Sequence, residues 1–549
     1  MTIRVNPDNA GAAVLDEAHV GHIQGAFGTI LHGDVAPRET WKHRLTTLLA
    51  IIGPGLIVMA GDNDAGAFAT YGQAGQTYGT TLLWTLALLI PVLYVNQEMV
   101  LRLGAVTGVG HARLIFERFG KFWGAFSVID LFVLNALTIV TEFIGISLAL
   151  DYLGLNKAAG IVVTAGLVMA SVSTGSFRRF ERFSMLLVFG SLLLLPIYFF
   201  VHPPLAEVAH DFVVPRIPTS GKLSDVMLLI IGLVGTTVAP WQLFFQQSYV
   251  IDKRITPRFI RYERLDLWLG IALVVVGAVA IIAFTAAAFA GKSVDFTDAG
   301  GIAAGLEAYA GRTVGVMFAV ALIDAAMIGA AAVSLSTAYA IGDVFSARHS
   351  LHRKVTDAKG FYAVYFVLIV IAAAIVLTPN APLGLLTVAV QTLAGVLLPS
   401  ATVFLLLLCN DKPVLGPWVN NRWLNVFTGA IIATLVVLSV ILTISVLFPD
   451  AANAETILGI LLGGGVAAAI VALVIMALSQ NGERWGAGAV EAVETAVSRH
   501  SWRMRPLDSL PPAKLSLAAK TWMGALRLYL VVAGGLVLVR IVMLAIGNG

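Results

Sequence analysis

The residues best placed to do chemistry are the acids of Gly61-Asp62-Asn63-Asp64-Ala65-Gly66, which interrupt an apolar stretch. The flanks, Leu48 to Val58 and Thr80 to Leu93, are apolar enough to lie in a bilayer. A carboxylate at that depth costs about 2.5–3.5 kcal/mol on insertion scales, so its presence asks for a function. Glycines beside the acids indicate a broken helix whose freed carbonyls face a cavity. Acids and free carbonyls together form an oxygen donor set for a cation near the membrane midplane. For Asp64 the structural alternative is capping of the broken helix. For Asp62 it is pairing with a basic group or facing the opening of the cavity.

The elements that must hold these groups are spanning helices. The chain has 549 residues, of which 58% are hydrophobic and only 12% charged. A soluble domain carries about 25% charged residues, so this composition describes an all-α, multi-pass membrane protein. Runs of roughly 20 apolar residues predict about thirteen helices. They lie near 45–80, 82–104, 122–150, 158–175, 182–201, 225–250, 265–291, 313–341, 360–378, 383–409, 424–448, 456–478 and 523–546. The sixth run is also interrupted, at Gly235-Thr236-Thr237-Val238-Ala239-Pro240-Trp241-Gln242. Proline within a helix removes a hydrogen bond and clashes with the preceding turn. Paired breaks in the first and sixth helices point to an inverted five-plus-five repeat with its binding site between them. Two ordinary kinks are the bland alternative, and the acids at the first break weigh against it.

Basic residues set the orientation. Arg113, Arg118, Lys121, Arg178, Arg179, Arg182, Lys253, Arg254, Arg258, Arg261, Arg264, Arg348, Arg353 and Lys354 all fall in loops on the N-terminal side. The opposite loops carry Asp295, Asp298, Glu307, Asp450 and Glu455. The positive-inside pattern therefore places the N-terminus in the cytosol and predicts a multi-pass protein of the plasma (inner) membrane. Residues 1–44 are polar and lack the basic-then-apolar pattern of a secretory signal, so they read as a mobile cytosolic tail. The stretch 479–522 reads as a cytosolic linker with some surface helix. The single cysteine, Cys409, excludes intrachain disulfides. No phosphate loop, nucleophile elbow or histidine cluster is present, so neither an enzyme nor a cofactor is expected, and nothing suggests a nucleic-acid partner.

Several motifs carry a resemblance. Gly53-Pro54-Gly55, Gly79-Thr80-Thr81-Leu82-Leu83-Trp84, Arg102-Leu103-Gly104-Ala105-Val106-Thr107-Gly108, Glu142-Phe143-Ile144-Gly145 and Arg178-Arg179-Phe180-Glu181 are similar to stretches of the Nramp family of divalent-metal transporters. The resemblance covers residues 45–410 and implies the LeuT-type inverted-repeat fold for that transport core. It leaves 411–478 as two additional spans and 523–549 as a final one. It also implies that the backbone carbonyls of Gly61 and Thr236 face the metal and that Gln391 lines the cavity. Where the family has Asp-Pro-Gly-Asn, this chain has Asp64-Ala65-Gly66-Ala67; where it has Met-Pro-His-Asn, the chain has Ala239-Pro240-Trp241-Gln242. The family's sixth-helix histidines fall at Trp241 and Gln246, and an acid one turn before Glu142 falls at Ile139. This pattern resembles the Nramp-related magnesium transporter branch.

The substitutions have a physical meaning. A thioether is a soft ligand for transition metals, whereas carboxylates, carbonyls and water suit Mg²⁺ and Mn²⁺. With Ala239 in place of methionine, the donors left are Asp64, Asp62, Asn63, Gln242 and the two carbonyls. Mg²⁺ keeps several waters and needs only one or two carboxylates. Loss of the imidazoles removes groups that titrate near neutral pH, so uncoupled, potential-driven uptake is predicted. Glu142, on the third helix where the family routes protons, keeps coupling open. Asp324, costly within the eighth helix, is a further pathway candidate. The substrate expected is thus Mg²⁺, with Mn²⁺ second, moved by alternating access. A proton-coupled Mn²⁺/Fe²⁺ importer is the main alternative. A sodium-coupled amino-acid carrier is another, against which Asp62 and Asp64 would repel a carboxylate. Oligomeric state is not legible from the sequence.

Overall fold

A computed structural model describes residues 15–219, 221–289, 298–378, 383–448, 453–480 and 499–513, with isolated positions between 523 and 539. The first span is in three pieces, α1 (Trp41–Ile51), α2 (Pro54–Ala60) and α3 (Ala65–Tyr78). α4 (Trp84–Thr107) returns, a short α5 (His111–Phe119) follows, and α6 (Lys121–Tyr152) and α7 (Lys157–Val172) make the third and fourth crossings. The fifth is α8 (Phe177–Gly190), a tight turn at Ser191–Leu193 and α9 (Leu194–Val201). After α10 (Leu205–Val213), α11 (Leu223–Thr237) and α12 (Pro240–Asp252) form the sixth. Then come α13 (Ile260–Phe289), the peripheral α14 (Ala299–Ala310), α15 (Arg312–Val344), α16 (Lys359–Val376) and α17 (Leu383–Cys409). A short α18 (Lys412–Leu415) leads to α19 (Arg422–Leu447) and α20 (Ala454–Gln480).

Each apolar run predicted up to residue 478 is helical, and both predicted interruptions are present. Most of the run 523–546 and most of 479–522 lie outside the described residues. Among the described residues eight helical spans are long and apolar enough to cross a membrane, the interrupted fifth and sixth included, or up to ten if bent pairs count as one span. The first span falls short as a single helix because it bends by 48° between α1 and α2 and breaks again before α3. Gly53 makes that bend: its φ is +155°, and a Cβ there would lie against Glu181 Oε1. Pro54 then starts α2 at a position where its missing N–H costs nothing.

The helices around the two breaks pack against one another. α13 lies along α2 and α3, α12 along α4, and α6 along α15, which runs through the middle of the bundle. Asn135 is buried and donates to Thr337 Oγ1 at 2.9 Å, tying α6 to α15. A polar side chain inside a bundle needs such a partner.

The largest departure from expectation is at the N-terminus. Residues 15–38, predicted to be part of a mobile tail, dock onto the bundle. A hairpin of β1 (Ile23–Gln24) and β2 (Thr29–Ile30) lies on α1, where Gly25 is so close that a Cβ would collide with Ala50 O. Arg178 donates to Gly25 O and Gly28 O, Arg182 to Ala26 O, Arg254 to Ala18 O, and Arg258 to Asp34 O. Arg353 pairs with Asp16. Basic residues that the charge pattern assigned to orientation alone thus also bind the strap's carbonyls, satisfying backbone groups that the short hairpin cannot pair internally.

Candidate cation site

The site begins with two unfinished helices. α2 ends at Ala60, with the Gly61 N–H still reaching Ile57 O at 2.9 Å, and α3 starts at Ala65, so 61–64 join the two helices while belonging to neither. Asp64 caps α3: its Oδ1 accepts from Ala67 N at 2.8 Å. Capping and ion binding are compatible, because an N-cap carboxylate uses one oxygen and keeps the other. α11 ends at Thr237 and α12 starts at Pro240, so the sixth span is open at Val238 and Ala239. The last carbonyls of α2 and α11 lack next-turn donors, which is the geometry that lets backbone oxygens line a cavity.

Glu142 comes directly to this place. Its Oε2 accepts from Ala65 N at 3.1 Å, and its carboxyl is a hydrogen-bond partner of Asp64. Two carboxyl groups in contact hold a proton or a cation between them, since two like charges repel at that range. Glu142 has no exposed surface, and its Oε1 has no partner. Gly329 on α15 makes room: a Cβ there would lie 2.8 Å from the Glu142 carboxyl. A small pocket beside Ala65 is lined by Thr141, Gly145, Leu148, Asp298 and Thr387.

Asp62 lies on the other side of the break. It accepts from Gln242 Nε2, and its Oδ2 is buried without a partner. Asn63 turns toward α13, donating to Val274 O at 3.2 Å where Gly277 leaves space, and its Oδ1 is unpartnered. Thr236 Oγ1 reaches Thr70 Oγ1 at 3.4 Å, and Thr237 meets the Tyr71 hydroxyl at 2.8 Å, joining α3 to α11. Ala239 is buried and starts α12 with no side-chain cap. Gln391 presses on the α3 start, where a Cβ on Gly66 would collide with its amide.

Toward the strap the site is blocked by aromatic rings. The Trp241 indole sits against Gly61, where a Cβ would be 3.3 Å from Cη2, and its carbonyl accepts from Ser336 Oγ at 2.9 Å. Trp241, Phe245 and Tyr249 then follow down α12 as contacting rings, and Tyr249 packs on Phe177. Gln246 is fully buried on α12 with both polar atoms unpartnered. Asp324 is not brought into this group: it faces Gly190 at the end of α8, where a Cβ would run into its carboxyl.

Three features escaped the sequence reading. Gln97 on α4 donates to Gln242 Oε1 at 3.0 Å, and adjacent Asn96 is buried with neither amide atom partnered. Below the aromatic rings Lys253 Nζ bonds Glu181 Oε1 at 2.6 Å and the α1 carbonyls of Ile51 and Ile52 at 2.6 and 2.9 Å. Asp266 accepts from Gly53 N and Gly55 N, and Glu263 beside it is buried with both oxygens unpartnered. The signal for Asn96-Gln97 was available, since it is a polar pair inside an apolar run. Among the described residues no three His, Cys, Asp or Glu side chains converge as a preformed metal cage.

Comparison with known proteins comes to the same folds. A family model described as natural resistance-associated macrophage protein-like (Nramp) matches residues 55–445. The divalent metal cation transporter MntH of Ralstonia nicotianae is 30% identical over 402 residues, covering 70% of this chain and 87% of the relative. MntH of Burkholderia ambifaria is 27% identical over 423 residues, covering 73% of this chain and 90% of the relative. A crystal structure of a histidine-to-alanine mutant of the Eremococcus coleocola manganese transporter aligns with a TM-score of 0.62 at 20% identity. That alignment covers 83% of this chain and 96% of the manganese transporter chain, so the two share the LeuT-type fold.

Proposed function

The chain belongs to the Nramp family, and from that premise we propose that it is a membrane carrier of divalent metal cations that binds its ion at Asp64 between the two broken spans. The observation that carries this reading is the buried pair Asp64 and Glu142 at the start of α3, with Asp62 across the break. Buried carboxylates and unpartnered oxygens in a membrane core are costly unless a cation visits them. Its relatives are named divalent metal cation transporters, and the structural neighbour is a manganese transporter. The donor set favours a hard ion without distinguishing Mn²⁺ from Mg²⁺, because every side-chain donor present is oxygen and Ala239 offers no thioether. Mg²⁺ is thus the second reading, supported by the small residues Ala67 and Ala239 at former ligand positions, which leave room for retained water.

Alternating access would open the site first beside Ala65 and then past Trp241. The strap-side face carries the basic loops and is the cytosolic side on the charge rule. The drive available to a divalent ion is about 4.6 kcal/mol per 100 mV, twice the value for one charge. Coupling to protons, if it operates, runs through Asp64 and Glu142, because a dication arriving at Asp64 displaces the proton the pair shares. Reconstituted protein in liposomes, with Mn²⁺, Mg²⁺ and Ca²⁺ flux and internal pH recorded together, tests the proposal. Dication uptake is expected; its complete absence for all three ions would overturn the carrier reading. Uptake of Mn²⁺ without Mg²⁺ would remove the second reading.

A further inference from the structure

We propose that Gln97 is a positioning residue for the transported cation: through the Gln242 amide it holds the Asp62 carboxyl with one oxygen turned to the ion. This rests on the carrier reading above and adds to it a residue outside both broken spans. Gln97 on α4, Gln242 on α12 and Asp62 in the break of the first span form a chain. Gln97 Nε2 donates to Gln242 Oε1 at 3.0 Å, and Gln242 Nε2 donates to Asp62 Oδ1. All three side chains are buried, Gln97 and Gln242 with no exposed surface at all.

The direction of this chain is set by charge. An ionised carboxylate only accepts hydrogen bonds. Gln242 must therefore turn its NH₂ toward Asp62, its carbonyl then faces Gln97, and Gln97 must donate. The consequence is an unpartnered oxygen at each end, Asp62 Oδ2 and Gln97 Oε1, both buried. Such orphans are rare in proteins and ask for a missing partner. A hydrated dication supplies both needs, a positive charge beside Asp62 Oδ2 and a water O–H for Gln97 Oε1.

Packing keeps Gln97 in register. Gly104, two turns further along α4, lies so close to α12 that a Cβ would be 2.7 Å from Gln247 O. Gln247 itself donates to Val109 O at 2.8 Å and meets His111 Nδ1 at 3.0 Å. Small shifts of α12 past α4 are thereby resisted, and the amide pair keeps its length.

The test is Mn²⁺ and Mg²⁺ uptake by liposomes containing wild type, Gln97→Leu, Gln97→Glu, Asp62→Asn and the Gln97→Leu/Asp62→Asn pair. Gln97→Leu should raise the half-saturating concentration by ~10-fold, the scale of one charge-assisted hydrogen bond, while the maximal rate stays near wild type. In the Asp62→Asn background the same change should add little, because the charge that gives the chain its direction is gone. Gln97→Glu should be worse than Gln97→Leu despite its closer size, since it forces the Gln242 carbonyl toward Asp62. Gln97→Asn, too short to reach Gln242, carries the same expectation should the leucine variant not give a monodisperse protein. Equal effects in both backgrounds, or glutamate tolerated better than leucine, would overturn the proposal. Absence of uptake by wild type would instead overturn the carrier reading.

Discussion

At the scale of single residues, the carrier reading gives Asp64 two tasks, capping α3 and binding the ion, which substitution can separate. Asparagine is as good an N-cap as aspartate, whereas alanine costs about 1 kcal/mol at such a position. Asp64→Asn should therefore abolish dication flux without lowering the unfolding temperature in detergent, while Asp64→Ala lowers both. Substantial flux in Asp64→Asn would remove Asp64 as the ligand. At Ala239 the argument is softness: Ala239→Met restores a thioether beside the break and should shift competition among ions toward Fe²⁺ and Cd²⁺ relative to Mg²⁺. An unchanged ranking would show that selectivity lies elsewhere. Glu142 joins Asp64 through Ala65 N. Glu142→Gln keeps a hydrogen bond but holds no exchangeable charge, so any proton movement accompanying uptake should vanish while cation flux persists.

At the scale of elements, the bend between α1 and α2 depends on a buried lysine. Lys253 Nζ neutralises Glu181 and caps the α1 carbonyls, and Asp266 binds the amides of Gly53 and Gly55 on the other side. Removing one partner of a buried ion pair strands the other and typically costs about 3–5 kcal/mol. Lys253→Met should accordingly lower thermal stability strongly, and Lys253→Met combined with Glu181→Leu should recover most of the loss, because an apolar pair carries no stranded charge. Failure of the double variant to recover would mean that Glu263 and Asp266 also require the ammonium. This is a feature the sequence displayed only as one basic loop and one motif glutamate.

At the scale of the whole molecule, the docked strap ties four parts of one face together, and its attachment has a titratable element. Burial lowers the proton affinity of His349, but Asp343 at 2.9 Å, with Asp16 of the strap nearby, outweighs it and raises the pKa to about 9. A raised base stabilises below its ordinary value near 6.5, and that contribution is lost as pH rises through about 9. His19, buried against Asp252 and His349, is shifted the other way by burial and favours its neutral form. Limited trypsin cleavage at Arg38 and Lys42 should thus be slow near pH 7 and accelerate as pH passes 9. His349→Gln, uncharged throughout, should cleave faster at pH 7 and lose that dependence. An unchanged pH profile in the variant would place the strap's stability in the Arg353–Asp16 pair alone.

The sequence by itself determined the spans, the two interruptions and the acids between them, because hydropathy, glycine and proline act over a few neighbouring residues. It also indicated the likeness to metal transporters, and Asp64 and Gln391 do meet at the α3 start. Only the tertiary structure decided which distant groups meet: Glu142 over Ala65, Gln97 behind Gln242, Lys253 under Gly53, and Asp324 turned away toward Gly190. Periodicity within a helix says which residues share a face, but not which neighbour that face meets. The docked strap was hidden for the same reason, since its polar composition reads as solvated until the arginines of two distant segments, 178–182 and 254–258, supply donors for its carbonyls.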